Sequence, residues 1–190
     1  VTARDIPNLI TLLRIALLPL LIGLLLQQMH QQALLLFLLM GLSDGIDGWL
    51  ARRYQWQSRL GALLDPIADK LLLLSCYLTA GWLAWLPWWL VALVLGRDLL
   101  IVAGAASFWR LTGELQVAPT LLSKLNTACQ ILLIALLLAL AADHFVALLA
   151  PLQSWLLPLV ALTTLASGSD YLWQWGRRAW HYRRRDGQIS

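Results

Sequence analysis

Four aspartates stand between apolar runs long enough to cross a bilayer, and that pairing restricts what the chain can become. They lie in residues 44–69, DGIDGWLARRYQWQSRLGALLDPIAD. Asp44 and Asp47 are three apart, and Asp65 and Asp69 are four apart, so each pair shares one face of a helix. Between Gly48 and Gly61 the chain carries Arg52, Arg53 and Arg59, which reads as a polar turn between two antiparallel helices. Such a turn brings both aspartate pairs together at one membrane face. A charged carboxylate at the centre of a membrane helix costs roughly 2.5–3.5 kcal/mol, less near the interface, and four ionised ones also repel one another. Either protons or divalent cations must offset that. Oxygen-only ligands suit Mg2+ or Mn2+ rather than zinc or copper. A two-metal site of this kind stabilises the attacking and leaving oxygens of a phosphoryl transfer. Gly45, Gly48 and Gly61 fall in register with these acids, where a missing side chain lets a backbone or a ligand come close.

The composition agrees with a membrane bundle. Of 190 residues, 60% are hydrophobic and only 13% charged, and the mean hydropathy is +0.71. A soluble domain carries about 25% charge. Cys76 and Cys129 both lie in apolar runs without metal-ligand spacing, and they read as small core residues. The net charge of +4 favours anionic partners. The basic residues flank apolar helices instead of forming one soluble face, which excludes nucleic acid and points to anionic lipid headgroups.

The fold class expected is all-α, a polytopic membrane protein with six transmembrane helices. Residues 9–26 form the first span, read as a retained helix because no small-residue cleavage site follows it. The others cover about residues 33–51, 61–84, 87–108, 121–142 and 150–174, each near the ~20 residues a bilayer requires. The connections at 27–32, 82–89 and 143–149 hold no Lys or Arg, whereas the opposite ends carry Arg4, Arg52, Arg53, Arg59, Arg110 and the arginines from Arg177 to Arg185. The positive-inside rule then places both termini and the aspartates on the cytoplasmic side. Trp82, Trp85, Trp88 and Trp89 read as an outer aromatic belt, and Trp173, Trp175 and Trp180 as an inner one. The basic tail HYRRRDGQIS is expected at the headgroup surface or disordered.

Charges within the spans call for partners. Arg14 and Arg97 interrupt the first and fourth, and each reads either as a functional group or as half of an ion pair, Arg97 for example with one of the aspartates. Asp98 adjoins Arg97, and neighbours in sequence do not share a helix face. The fifth span opens with SKLNTACQ, in which Lys124, Thr127 and Gln130 recur at three-residue steps and form a face able to hydrogen-bond a polar headgroup. His30, His144 and His181 lie in loops or the tail and read as solvent-facing.

Asp44-x2-Asp47-Gly48-x2-Ala51-Arg52-x8-Gly61-x3-Asp65-x3-Asp69 resembles, at every fixed position, the signature of the CDP-alcohol phosphotransferase family. The resemblance implies that Asp44, Asp47, Asp65 and Asp69 bind two divalent metals and that Asp69 is the general base. It also implies that Gly48, Ala51, Arg52 and Gly61 line the CDP site. IPNLITLLR, DPIADKLL and GRD extend the similarity over about residues 5–178 and resemble the branch of phosphatidylglycerophosphate and cardiolipin synthases. Within that branch SKLNTACQ has Ser123 and Asn126 where the first group usually has Gly and a second Lys, and GAASFWR lacks the SALRE-like Arg. Together with LTTLASGSDY these stretches are similar to eukaryotic-type cardiolipin synthases.

That similarity implies CDP-diacylglycerol as donor, phosphatidylglycerol as acceptor and CMP as leaving group. Arg97, Arg110 and Lys124 are then the cations available to the acceptor. The runner-up product is phosphatidylglycerophosphate, from glycerol 3-phosphate. A cation transporter using intramembrane carboxylates is the reading from another class. Against it, no carboxylate path continues through the fifth and sixth spans. The family resemblance further implies a homodimer. A membrane domain over residues 1–178 and a basic cytoplasmic tail at 179–190 are expected in a bacterial inner membrane, eukaryotic-type relatives being mitochondrial.

Overall fold

The computed structural model describes residues 6–54, 59–112, 120–143 and 146–186. They form six helices: α1 (Ile6–Leu26), α2 (His30–Tyr54), α3 (Arg59–Trp82), α4 (Trp88–Thr112), α5 (Leu121–Ala141) and α6 (Val146–Asp186). The molecule is all-helical over the described residues. Among them, three helices are long and apolar enough to cross a membrane: Asn8–Leu26, Leu121–Ala141 and Leu148–Gln174.

Contacts divide the chain into two compact units. One comprises Val1–Pro87 with Ile131–Gln153, the other Trp88–Gln130 with Ser154–Ser190. In the first, α1 packs against both α2 and α3. Its buried residues are Thr11, Arg14, Leu18, Leu21 and Leu25, spaced three and four apart, so they form one stripe down a single face. The stripe is leucine at one end and polar at the other. α2 answers with buried Ala33, Phe37 and Met40, and Asp44 is the next position of the same stripe. On α3, buried Ala68, Leu72, Leu73, Cys76, Tyr77 and Ala80 follow Asp65, and Asp69 lies on the same side. The acids therefore prolong apolar stripes instead of occupying a separate face.

The ends of α1, α3 and α5 share one device. Gln28, Ala84 and Asp143 have φ of 59°, 59° and 57°. In the first turn Met29 N donates to Leu24 O at 2.9 Å and Gln28 N to Leu25 O at 3.1 Å. In the second Trp85 N donates to Ala80 O at 2.9 Å and Ala84 N to Gly81 O at 3.1 Å. These paired bonds are the Schellman cap, which satisfies the last carbonyls of a helix by turning one residue left-handed. Glycine is the usual residue there, and none of the three is glycine. α5 starts on its own cap, Thr120 Oγ1 accepting from Ser123 N at 3.1 Å.

Several expectations change. His30 is the first residue of α2 and is half-buried, its ring edge-on to Trp85 at 5.3 Å, so it is not solvent-facing. Trp85 is correspondingly half-buried, whereas Trp82, Trp88, Trp89 and Trp173 are exposed, as a belt requires. Cys76 is buried and Cys129 half-buried. α6 runs without a break through 181–186, the first part of the tail expected to lie at the surface or in disorder. His144 lies outside the described residues, as do the side chains of His181, Trp175 and Trp180.

Candidate active site

Arg14 sits one stripe position before Leu18, and its side chain is 1% exposed. Its Nη1 lies 2.6 Å from Asp44 Oδ1 and donates to Asp69 Oδ1 at 2.9 Å. One turn earlier, Thr11 Oγ1 donates to Asp65 Oδ1. α1 thus presents a hydroxyl and a guanidinium, three residues apart, to acids on two other helices. The described carboxylates are reachable from outside: Asp44 is 40% exposed and Asp69 47%. Gly45 beside them has open space where a Cβ would stand, so among the described residues no packed neighbour requires it to be glycine. Gly61 is buried.

Two carboxylate oxygens from different helices converge on one cationic nitrogen. Oxygen-only donors match Mg2+ or Mn2+. Among the described residues no three metal-ligating side chains are gathered closely enough to hold an ion. Of the expected residues, Asp47, Gly48, Ala51 and Arg52 lie on α2 by backbone, but their side chains are outside the described set.

Of the cations expected to face an acceptor, the side chains of Arg97 and Lys124 are described. Arg97 is 8% exposed and fully engaged within its own unit. Its Nη1 donates to Asp98 Oδ1 at 2.6 Å, its Nη2 to Ser123 Oγ and Ser167 Oγ at 2.6 Å each, and its Nε to Ser167 Oγ at 3.2 Å. The guanidinium carbon also lies 5.9 Å from the centre of the Tyr171 ring. Among the described residues its ion pair is with Asp98. The rule that neighbours do not share a face fixes where Cβ atoms point, but the long arginine arm reaches round the helix to its neighbour. Lys124 is exposed. The side chain of Arg110 lies outside the described residues.

The polar face of α5 also differs from the expected one. Its buried members are Asn126 and Gln130, four apart, whereas Thr127 is half-buried and donates to Ser123 O. Asn126 Oδ1 accepts from Thr163 Oγ1 at 3.0 Å and Thr164 Oγ1 at 2.8 Å on α6. α6 continues that stripe with Ser167 and Tyr171, both buried. Reading α5 at steps of three from Lys124 missed this. The signal that finds it is the 3–4 alternation Asn126, Gln130, Leu133, Leu137, which joins the polar residues to the apolar core.

Residues 4–166 match the sequence profile of the CDP-alcohol phosphatidyltransferase family. The chain is 32% identical over 200 aligned residues to the cardiolipin synthase (CMP-forming) of Rattus norvegicus, covering 97% of this chain and 63% of that protein. It is 34% identical over 182 residues to the cardiolipin synthase (CMP-forming) / mitochondrial hydrolase fusion protein of Schizosaccharomyces pombe, covering 87% of this chain and 30% of that one. With the cardiolipin synthase (CMP-forming) of Streptomyces coelicolor it shares 42% over 107 residues, 52% of this chain and 50% of the relative. The chain thus spans from 30% to 63% of the length of these relatives.

Proposed function

Because this chain belongs to the CDP-alcohol phosphatidyltransferase family, we propose that it is a membrane phosphatidyltransferase, moving the phosphatidyl group of CDP-diacylglycerol to phosphatidylglycerol to make cardiolipin and release CMP. The observation that carries this reading is the convergence of Asp44 and Asp69 on one cationic point, inside the signature that runs from Asp44 to Asp69. The relatives named as cardiolipin synthases support the choice of product.

In this reading Asp44, Asp47, Asp65 and Asp69 hold Mg2+ or Mn2+. When bound, the metal supplies positive charge for the phosphate oxygens as the transfer proceeds. Asp69 takes the proton from the acceptor's free hydroxyl. The oxygen so released attacks the phosphorus that bears diacylglycerol, and the bond from that phosphorus to the CMP oxygen breaks. CMP leaves with the bonding pair. Gly48, Ala51 and Gly61 leave room for the cytidine and diphosphate, and Arg52 holds the departing charge. Catalysis is then mainly positioning and charge stabilisation. Lys124, exposed on α5, and Arg110 are the cations that meet the acceptor's phosphodiester in this reading. Arg97 supports the acceptor side from within.

All six helices cross the membrane in this proposal, with the aspartates and both termini on the cytoplasmic side of a bacterial inner membrane. Residues 179–190 lie along anionic headgroups. The working unit is a homodimer. Glycerol 3-phosphate is the second acceptor to be tested. It brings a dianionic phosphate, yet position 126 is Asn where a second lysine would help, and that Asn is turned inward to α6. Purified protein given CDP-diacylglycerol, metal and each acceptor separately should release CMP with phosphatidylglycerol and form cardiolipin by mass. Phosphatidylglycerophosphate without cardiolipin would establish the second acceptor instead. Cation flux without any CMP would point to a transporter.

A further inference from the structure

Arg14 bridges two of the carboxylates that the proposed metal site uses. Its Nη1 is 2.6 Å from one oxygen of Asp44 and 2.9 Å from one oxygen of Asp69. The side chain is 1% exposed and stands in the buried stripe between Thr11 and Leu18. A guanidinium so enclosed cannot snorkel into solvent, unlike most arginines near a membrane interface. The carboxylates it joins are far more exposed, so a solvent ion can reach them while Arg14 stays inside. A divalent ion settling on the same two oxygens would stand within a few ångströms of Nη1, and two cations at that range repel.

We propose that Arg14 is the site's resident cation. In the metal-free protein it holds Asp44 and Asp69 at ligand spacing, and it yields those oxygens when a divalent ion enters. Arg14 is in this sense a positioning residue that also sets metal affinity. The proposal rests on the reading of Asp44 and Asp69 as metal ligands. Linkage makes the competition reciprocal: whatever Arg14 contributes to the metal-free fold, the metal must displace.

Full-length protein in detergent, stripped with chelator, would be titrated with Mn2+ while electron paramagnetic resonance reads the free ion. Three forms are compared: the parent sequence, Arg14→Gln and Arg14→Lys. Arg14→Gln should bind Mn2+ more tightly, roughly tenfold, within the usual range of coupling between two ligands of one site. Its melting temperature should drop most in the metal-free state and recover with saturating Mn2+. Arg14→Lys, which keeps the charge on a shorter arm, should fall between the other two in affinity. General structural damage would weaken Mn2+ binding, so a tightening separates competition from mere support. If metal-free Arg14→Gln does not fold, it is prepared in Mn2+ throughout and its affinity read by chelator competition. Unchanged or weaker Mn2+ binding in Arg14→Gln overturns the proposal. Absence of Mn2+ binding in the parent protein would instead overturn the metal site itself.

Discussion

At Arg97 four hydrogen bonds converge on one guanidinium, and every one of them stays within the same compact unit. Gly168 lies where Arg97 passes α6: a Cβ there would meet Arg97 Cγ at 3.7 Å, ordinary contact distance. Removing one partner of a buried ion pair costs about 3–5 kcal/mol, because the other charge is left uncompensated. Arg97→Ala should therefore lower the thermal midpoint of the solubilised protein steeply, with acceptor binding lost only as a consequence. Lys124 offers the contrast. It is exposed, so Lys124→Ala should leave stability within about 0.5 kcal/mol and raise the KM for the acceptor. A Lys124→Ala protein with unchanged kinetics would remove that residue from the acceptor site. At the carboxylates, Asp44→Asn and Asp65→Asn should each abolish CMP release while the protein still inserts. Near-normal release by either would show that these acids are not the metal ligands.

Among the elements, the Schellman turns carry the clearest local prediction. Ala84 holds a φ of 59° without the freedom of glycine. A left-handed conformation costs an L-residue roughly 1–2 kcal/mol, and glycine escapes most of it. Ala84→Gly should raise stability by about 1 kcal/mol, read as a higher midpoint in thermal unfolding. A lower midpoint would mean that the Ala84 methyl contributes more through packing than its backbone loses. The helices were legible because hydropathy alternates with polar turns at bilayer length. The predicted span at 121–142 is α5 at Leu121–Ala141, and that at 9–26 is α1 at Ile6–Leu26. α6 extends to Asp186, past the predicted end at 174, since loss of hydropathy ends a membrane span but not a helix. That Asp44, Asp65 and Asp69 would lie on facing helix sides was legible from spacing. Arg14's partners were not, because Asp44 and Asp69 meet it only through the packing of α1 on α2 and α3. Nor was Asn126, whose threonine partners lie in a helix far along the chain.

For the whole molecule, orientation is the property most open to direct measurement. In a background carrying Cys76→Ala and Cys129→Ala, single cysteines at positions 144 and 56 would be probed with a membrane-impermeant maleimide. Labelling from outside should reach position 144 and leave position 56 unmodified until the membrane is opened. The reverse pattern would place the aspartates on the outer face, away from cytosolic CMP. The buried stripe of α1 has a further consequence for how this molecule is made. Asn8–Leu26 leaves the ribosome with Arg14 already in place, well before Asp44 and Asp69 have been synthesised. At the centre of a span that arginine would cost roughly 2.5–3.5 kcal/mol on insertion scales, against leucines that each favour entry by a fraction of a kcal/mol. In the proposed membrane protein the leucines carry this segment in, and its arginine enters before its counter-ions exist. That charge meets its partners only once α2 and α3 have been made, so pairing Arg14 and packing α1 belong to one step of the proposed assembly.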